Sequence, residues 1–399
     1  MFLNAVAYFI LTISYWNRHK KMDLFLCISS LYAFTAIMCF FNYVYGHETY
    51  PNLGMIAFLY LFVVVFIFLK PIRNFNIDKK TITIRDNGLL YILAVVFILA
   101  AAIDIITSLN HTSEIVESGM WNELRDMGYA DEDSVVLYET PLQRFSKNVV
   151  SYLMPFALVY AFFQLTKKKV PILLTTGLFT SIISTVFISA VADASRGMVV
   201  NLFVQLLICY LIFKNYIPKS RKKYIMVSAS WVLYGFIAFI VAVSTSRFGD
   251  EVWDYTFSYL GHSMLNFNDG LFYSMHDYAW GKKFFDFFYD LFGLNGYYSS
   301  EALGSTAGHG FVTFVGSLFI DFGPYVTILV AILAVAIISR FFEKKNLLLS
   351  DIIMIVFYSS TMANGIFVST KNRALIWVMT FVIYFITRKI ENKNMYNYA

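Results

Sequence analysis

Charge is what this sequence most lacks. Asp, Glu, Lys and Arg make up 14% of its 399 residues, against 58% hydrophobic; a soluble domain carries nearly twice that share of charge, so the composition excludes one and indicates a polytopic membrane protein. Cysteine is also scarce. Cys27, Cys39 and Cys209 all fall inside apolar runs, which implies packing and no disulfide framework. His262, His276 and His309 do not stand at metal-ligand spacing, so no zinc site is expected. There is no phosphate-binding glycine loop and no Gly-x-Ser-x-Gly elbow. No repeat, heptad or low-complexity tract occurs, and residues 1–399 read as a single transmembrane domain. Nothing calls for a cofactor or a metal, and the net charge of +5 gives no nucleic-acid signal.

What is present is apolar and aromatic. Runs long enough to cross a bilayer stand at 2–16, 23–45, 53–69, 88–108, 147–166, 171–190, 197–214, 224–244, 311–341, 347–368 and 372–388, giving about eleven transmembrane helices in an all-α membrane protein. Arg18, Lys20 and Lys21 follow the first run, the reverse of a signal peptide, so that run reads as a short span of roughly 22 Å. Alternate connections hold 22 and 9 of the 31 Lys plus Arg. By the positive-inside rule the N-terminus is outside and the C-terminus inside. Asp321-Phe322-Gly323-Pro324 interrupts the ninth run; 325–341 is expected to span and 311–320 to be re-entrant or interfacial.

Two large segments then face outward, 109–147 and 245–310. The second holds both charges and bulky aromatics, more than a connection between spans needs. Within it Trp253, Phe257, Leu260 and Met264 recur at helical spacing. That predicts an amphipathic helix over Glu251–Asn268 lying on the membrane, with Asp254 and His262 off its apolar face. Aromatic faces beside carboxylates suit a sugar; for Phe284 to Phe292 an interfacial aromatic belt is an equal reading. Outward arginines are few. Arg196, beside Gly197, and Arg247 are placed to clamp a phosphate, or alternatively to reach lipid headgroups and, for Arg247, to pair with Asp250 or Asp254. Arg144 and Arg373 are weaker candidates of the same kind. Asp321 is either a functional carboxylate or the cap of a helix starting at Pro324. The acidic triplet Asp131-Glu132-Asp133 reads as a solvated patch.

Three stretches carry a resemblance. They are Ala194-Ser195-Arg196-Gly197 opening a span, Tyr259-Leu260-Gly261-His262-Ser263-Met264-Leu265-Asn266-Phe267-Asn268, and Thr313-Phe314-Val315-Gly316-Ser317-Leu318-Phe319-Ile320-Asp321-Phe322-Gly323. With the span number and the long outer segment, they resemble the Wzy-type polymerases of O-antigen or capsular repeat units. Pro324-Tyr325 stands where that family usually has a glycine. The resemblance implies a GT-C-like membrane glycosyltransferase architecture in the bacterial cytoplasmic (inner) membrane. It implies polymerisation of undecaprenyl-diphosphate-linked oligosaccharides among membrane lipids at the outer face, alongside a chain-length regulator and a flippase of the same pathway. Arg196 and Arg247 would bind the diphosphate, and the base would be Asp254, His262 or Asp321. The alternatives are an O-antigen ligase, or a flippase or transporter of lipid-linked oligosaccharides.

Overall fold

The computed structural model describes residues 1–46, 49–84, 86–118, 140–192, 196–248, 252–275, 277–294, 312–366 and 373–396. Helices cover all eleven apolar runs: α1 (Phe2–His19), α2 (Leu24–Tyr45), α3 (Met55–Arg73), α4 (Gly88–Ser118), α5 (Pro141–Thr166), α6 (Ile172–Ala192), α7 (Arg196–Phe213), α8 (Lys219–Phe248), α11 (Phe314–Glu343), α12 (Leu349–Asn364) and α13 (Arg373–Tyr396). Two more, α9 (Val252–Asn266) and α10 (Asp286–Leu291), lie in the long 245–310 segment. Among the described residues the only strands are β1 (Thr81–Ile82) and β2 (Asn346–Leu347), paired in parallel. Among the described residues six helical segments are long and apolar enough to cross a membrane: Leu24–Tyr45, Met55–Lys79, Gly88–Leu109, Pro141–Thr166, Ile172–Val191 and Phe314–Glu343. The protein is therefore an all-α, multi-pass membrane protein.

The chain divides into two compact units, residues 1–76, 251–344 and 358–379 in the first and 77–250, 345–357 and 380–399 in the second. In the first, α2 packs against α1, α3 and α9, and α3 packs against α11. Its interior is aromatic: Tyr8 stacks on Tyr32 at 5.8 Å and meets Phe62 edge-on at 4.9 Å. A buried hydroxyl needs a partner where no water reaches. Tyr32 donates to the Met362 carbonyl at 2.8 Å and Tyr358 to that of Phe68 at 2.6 Å. Met362 lies in the last turn of α12, where carbonyls lack intrahelical partners, whereas Phe68 lies inside α3 and its carbonyl bonds through a second lone pair; both bonds tie helices together.

In the second unit α4 packs against α5 and α6, and α7 against the same pair. A capping box starts α5 six residues before the predicted 147. The Gln143 amide donates to the Thr140 hydroxyl at 3.3 Å and the Gln143 side chain accepts from the Thr140 amide at 2.9 Å, with Pro141 at the first helical position. At the other end of α5, Arg221 donates to the carbonyls of Leu165 (2.8 Å), Lys167 and Lys168 (2.9 Å). These are carbonyls that a helix C-terminus leaves without internal partners. Nearby, Tyr216 donates to the Lys80 carbonyl and Asn215 to Asp78, while Glu391 accepts from the amides of Leu349 and Ser350 at the start of α12.

The second unit also holds a charged pair among its helices. Asp104 is buried inside α4, and Lys147 of α5 stands 3.8 Å from it while donating to the Ser189 hydroxyl of α6 at 3.2 Å. A charge among spans persists when it is paired. Lys147→Met removes the cation beside Asp104 and is expected to lower stability by about 3 kcal/mol. Asp104→Leu together with Lys147→Met should recover most of that loss, because two apolar side chains replace the pair. Thermal melting of the detergent-solubilised variants checks both outcomes.

Candidate functional site

The first unit assembles a polar and aromatic site from three stretches distant in sequence. Helix α9 supplies the base of it. The predicted amphipathic helix is present, and it packs on α2. A Cβ on Gly261 would come within 2.7 Å of Cys39 N and Cα and 2.6 Å of the Met38 carbonyl. Only glycine permits so close an approach of two backbones. Beyond Gly261 the buried residues are Ser263, Met264, Leu265, Phe267, Asn268 and Leu271.

After Asn266 the helix widens into a π-turn, Phe267–Phe272. One residue more per turn rotates the polar pair Asn268-Asp269 toward the 49–54 connection between α2 and α3. Asn268 is fully buried and clasps Gly54 at both ends: its amide nitrogen donates to the Gly54 carbonyl and its oxygen accepts from the Gly54 amide, each at 2.8 Å. Asp269 accepts from the Asn52 amide. Tyr50, on the same connection, lies 3.3 Å from His262 Nδ1 and accepts from the Asn42 side chain at 3.3 Å.

Aromatic rings fill the space between this turn and α11. Tyr60, Phe267, Phe272 and Phe319 stand at centroid distances of 5.3–6.1 Å from one another, and Tyr278 adds its ring to Phe319 at 6.1 Å. Here α11 breaks: Gly323 has φ 68° and ψ −176°, with Pro324 next. Tyr60 donates to the Pro324 carbonyl at 2.7 Å.

Asp321 lies one turn before the proline, fully buried. It does not cap a helix starting at Pro324; the start of α11 is capped by Thr313, whose hydroxyl accepts from the Gly316 amide at 3.2 Å. The Asp321 carboxylate instead accepts from the amides of Lys283 (2.8 Å) and Phe284 (2.7 Å), one on each oxygen. An ionised carboxylate is acceptor-only, so two convergent N–H groups suit it. The Ala279 amide completes the attachment by donating to the Ile320 carbonyl at 2.9 Å, and the Phe284 carbonyl accepts from the Ala374 amide at 3.1 Å. The 279–285 segment is thereby fastened to the break in α11.

The predicted residues fall as follows. His262 and Asp321 belong to the first unit, and the carboxylate of Asp321 is bonded to the 283–284 amides and not to His262. The backbone of Asp254 lies in α9, that of Arg196 opens α7 and that of Arg247 lies in the last turn of α8. The side chains of these three, and of Arg373, are outside the described residues, as is the Asp131-Glu132-Asp133 triplet. Arg144 is exposed in the first turn of α5. Among the described residues no three His, Cys, Asp or Glu side chains converge on a possible metal position.

Residues that sequence reasoning passed over are Asn42, Tyr50, Asn268 and Asp269. The polar run Asn266-Phe267-Asn268-Asp269-Gly270 at a helix end carried the available signal. No protein-family model matches the chain, and no curated protein or solved structure matches it significantly.

Proposed function

We propose that this protein polymerises polyprenyl-diphosphate-linked oligosaccharide repeat units at the outer face of a bacterial cytoplasmic membrane, as an eleven-span enzyme of GT-C-like architecture with its N-terminus outside. The observation that carries this reading is that the 245–310 segment, where described, is built into the helix ends instead of serving as a linker. Its α9 packs on α2, its π-turn grips the 49–54 connection and its 279–285 stretch is bonded to α11. The 49–54 connection lies on the side assigned as outer by charge, and α9 meets α2 in the half of that helix nearer the same side. Likewise the contacts joining 78–83, 165–168, 215–221 and 345–351 link connections assigned to the inner side. A rigid aromatic platform at the outer surface suits a sugar chain held on a membrane-borne lipid.

In the reaction an acceptor hydroxyl oxygen bonds to the anomeric carbon of the donor while that carbon's bond to the diphosphate oxygen breaks. The lipid diphosphate leaves with the electron pair, and a base takes the hydroxyl proton. We assign the diphosphate clamp to Arg196 and Arg247. The base is Asp254, His262 or Asp321; the Asp321 carboxylate already accepts the amides of Lys283 and Phe284.

Deletion of the gene is expected to abolish surface polymer while single repeat units persist. Arg196→Ala and Arg247→Ala should each give the same gel pattern with normal protein levels, and Lys at either site should restore polymer only partly, a point charge replacing a bidentate fork. Normal polymer from both Ala variants would remove the clamp. A second reading, a flippase of lipid-linked sugars, draws on the Asp104–Lys147 pair inside the spans. It predicts that deletion removes single repeats from the surface as well.

A further inference from the structure

Helix α10 turns its apolar side away from the rest of the protein. From Asp286 to Phe292 the helical period gathers Phe287, Phe288, Leu291 and Phe292 on one side and Asp286, Tyr289 and Asp290 on the other. A short helix packed on protein would bury the first set. None of the α10 residues is buried; Leu291 is 63% and Phe292 69% exposed, and Phe287 is exposed as well. This is not the exposure of a loose loop. The stretch before α10 is bonded to α11 through Ala279, Lys283 and Phe284, and Tyr289 of α10 donates to the Trp280 carbonyl at 2.7 Å. Trp280 has φ 51°, a left-handed backbone that a bulky residue keeps only where its surroundings hold it. Trp280 too is exposed.

What covers this side follows from where α10 is fastened. Just past the break in α11, Tyr325 is 86% exposed, and Leu329, Ile332 and Leu333 carry the exposed stripe along a helix long and apolar enough to cross a membrane. Such a stripe on a membrane span faces lipid. Helix α10 begins two residues after Phe284, at most about 7 Å further along the chain, so it adjoins the lipid-facing surface of α11. We propose that α10 is a membrane-docking element that lies in the bilayer interface. Phe287, Leu291 and Phe292 enter among the acyl chains, Trp280 sits at headgroup level, and Asp286 and Asp290 face water. Lys282 and Lys283 balance the two aspartates in charge, so the apolar side, and not lipid charge, provides the attachment. This docking is independent of glycosyl transfer. Its partner is the bilayer that the spans already occupy.

The first test needs no substitution. The full chain is placed in nanodiscs of phosphatidylcholine carrying a diazirine near the carbonyl end of one acyl chain, irradiated, digested and mapped by mass spectrometry. Lipid adducts are expected on residues 286–294 as well as on the 325–333 stripe of α11. Adducts on the stripe with none on 286–294 overturn the proposal. Facing is then read from nitroxide labels on Leu291→Cys and Asp290→Cys, in a chain whose Cys27, Cys39 and Cys209 are replaced by alanine. Oxygen concentrates in the bilayer and a nickel chelate stays in water. The ratio of relaxation by oxygen to relaxation by nickel should be several-fold higher at 291 than at 290. A Leu291 label that favours nickel means that this side is open to water. A label that neither reagent reaches means that protein covers it, from a second copy or another segment. Either result overturns the proposal.

Discussion

Asp321→Ala is expected to be among the most damaging single substitutions in this protein, and to act through folding. It strips the acceptors from two amides, those of Lys283 and Phe284, in a place where the aspartate side chain is fully buried. A fully buried N–H left without a partner costs about 1–3 kcal/mol; Lys283 and Phe284 are half-buried, so the loss should be roughly 2–3 kcal/mol. That is a large part of the stability of most folded domains. Asp321→Asn separates this anchoring role from a chemical one. The asparagine oxygen can accept from one amide, but its NH₂ group then faces the other, and two donors cannot bond. Its destabilisation should fall near half that of alanine. Melting temperatures in detergent and protein levels in membranes measure both variants. An Asn variant as stable as the unmutated protein yet inactive would make Asp321 a reacting group.

The same residue shows what could be read from the chain alone. Asp321-Phe322-Gly323-Pro324 announces a break in an apolar helix, because proline removes a ladder bond and clashes with the preceding turn. The break is present. The partners of the carboxylate were not legible, since Lys283 and Phe284 lie 38 and 37 residues away and are met only after the chain has folded back on itself. A local cap was the natural reading of a local pattern. Helix α9 behaved similarly. Its apolar periodicity was correct to within one or two residues at either end, yet periodicity says only that one face is buried. Gly261 decides what buries it, a glycine seven residues before Asn268 that lets the α2 backbone come into contact. Asp104 was legible and was missed; it is the sole carboxylate in the 88–108 run, and its partner Lys147 had been assigned to a connection. The Asn42–Tyr50–His262 chain could not have been found from spacing, as its members are separated by 8 and 212 residues.

Gly323→Ala should rival Asp321→Ala in its effect, for two reasons that a second substitution separates. With φ 68° and ψ −176°, Gly323 occupies a backbone region that is essentially closed to residues with a side chain, at a cost of about 1–3 kcal/mol. An added Cβ would also meet the Tyr278 ring at 2.8 Å. That ring lies against Phe319, so moving it disturbs the aromatic cluster and adds roughly 1–3 kcal/mol of overpacking. Tyr278→Ala in the Gly323→Ala background removes the clash and leaves the backbone strain. Measured against Tyr278→Ala alone, Gly323→Ala should then cost less than it does beside the intact ring, but still more than 1 kcal/mol or so. Complete recovery would mean that the backbone at residue 323 adapts freely and that only the ring contact matters. Coupling to Asp321 gives a further check. The turn at Gly323 aims the end of the first α11 segment, and Asp321 sits on that end with the 279–285 segment bonded to it. If the turn positions the carboxylate, Gly323→Ala already weakens both amide bonds, and adding Asp321→Ala should destabilise by less than the sum of the two single changes. Strict additivity would show that the break and the anchor are independent features of α11.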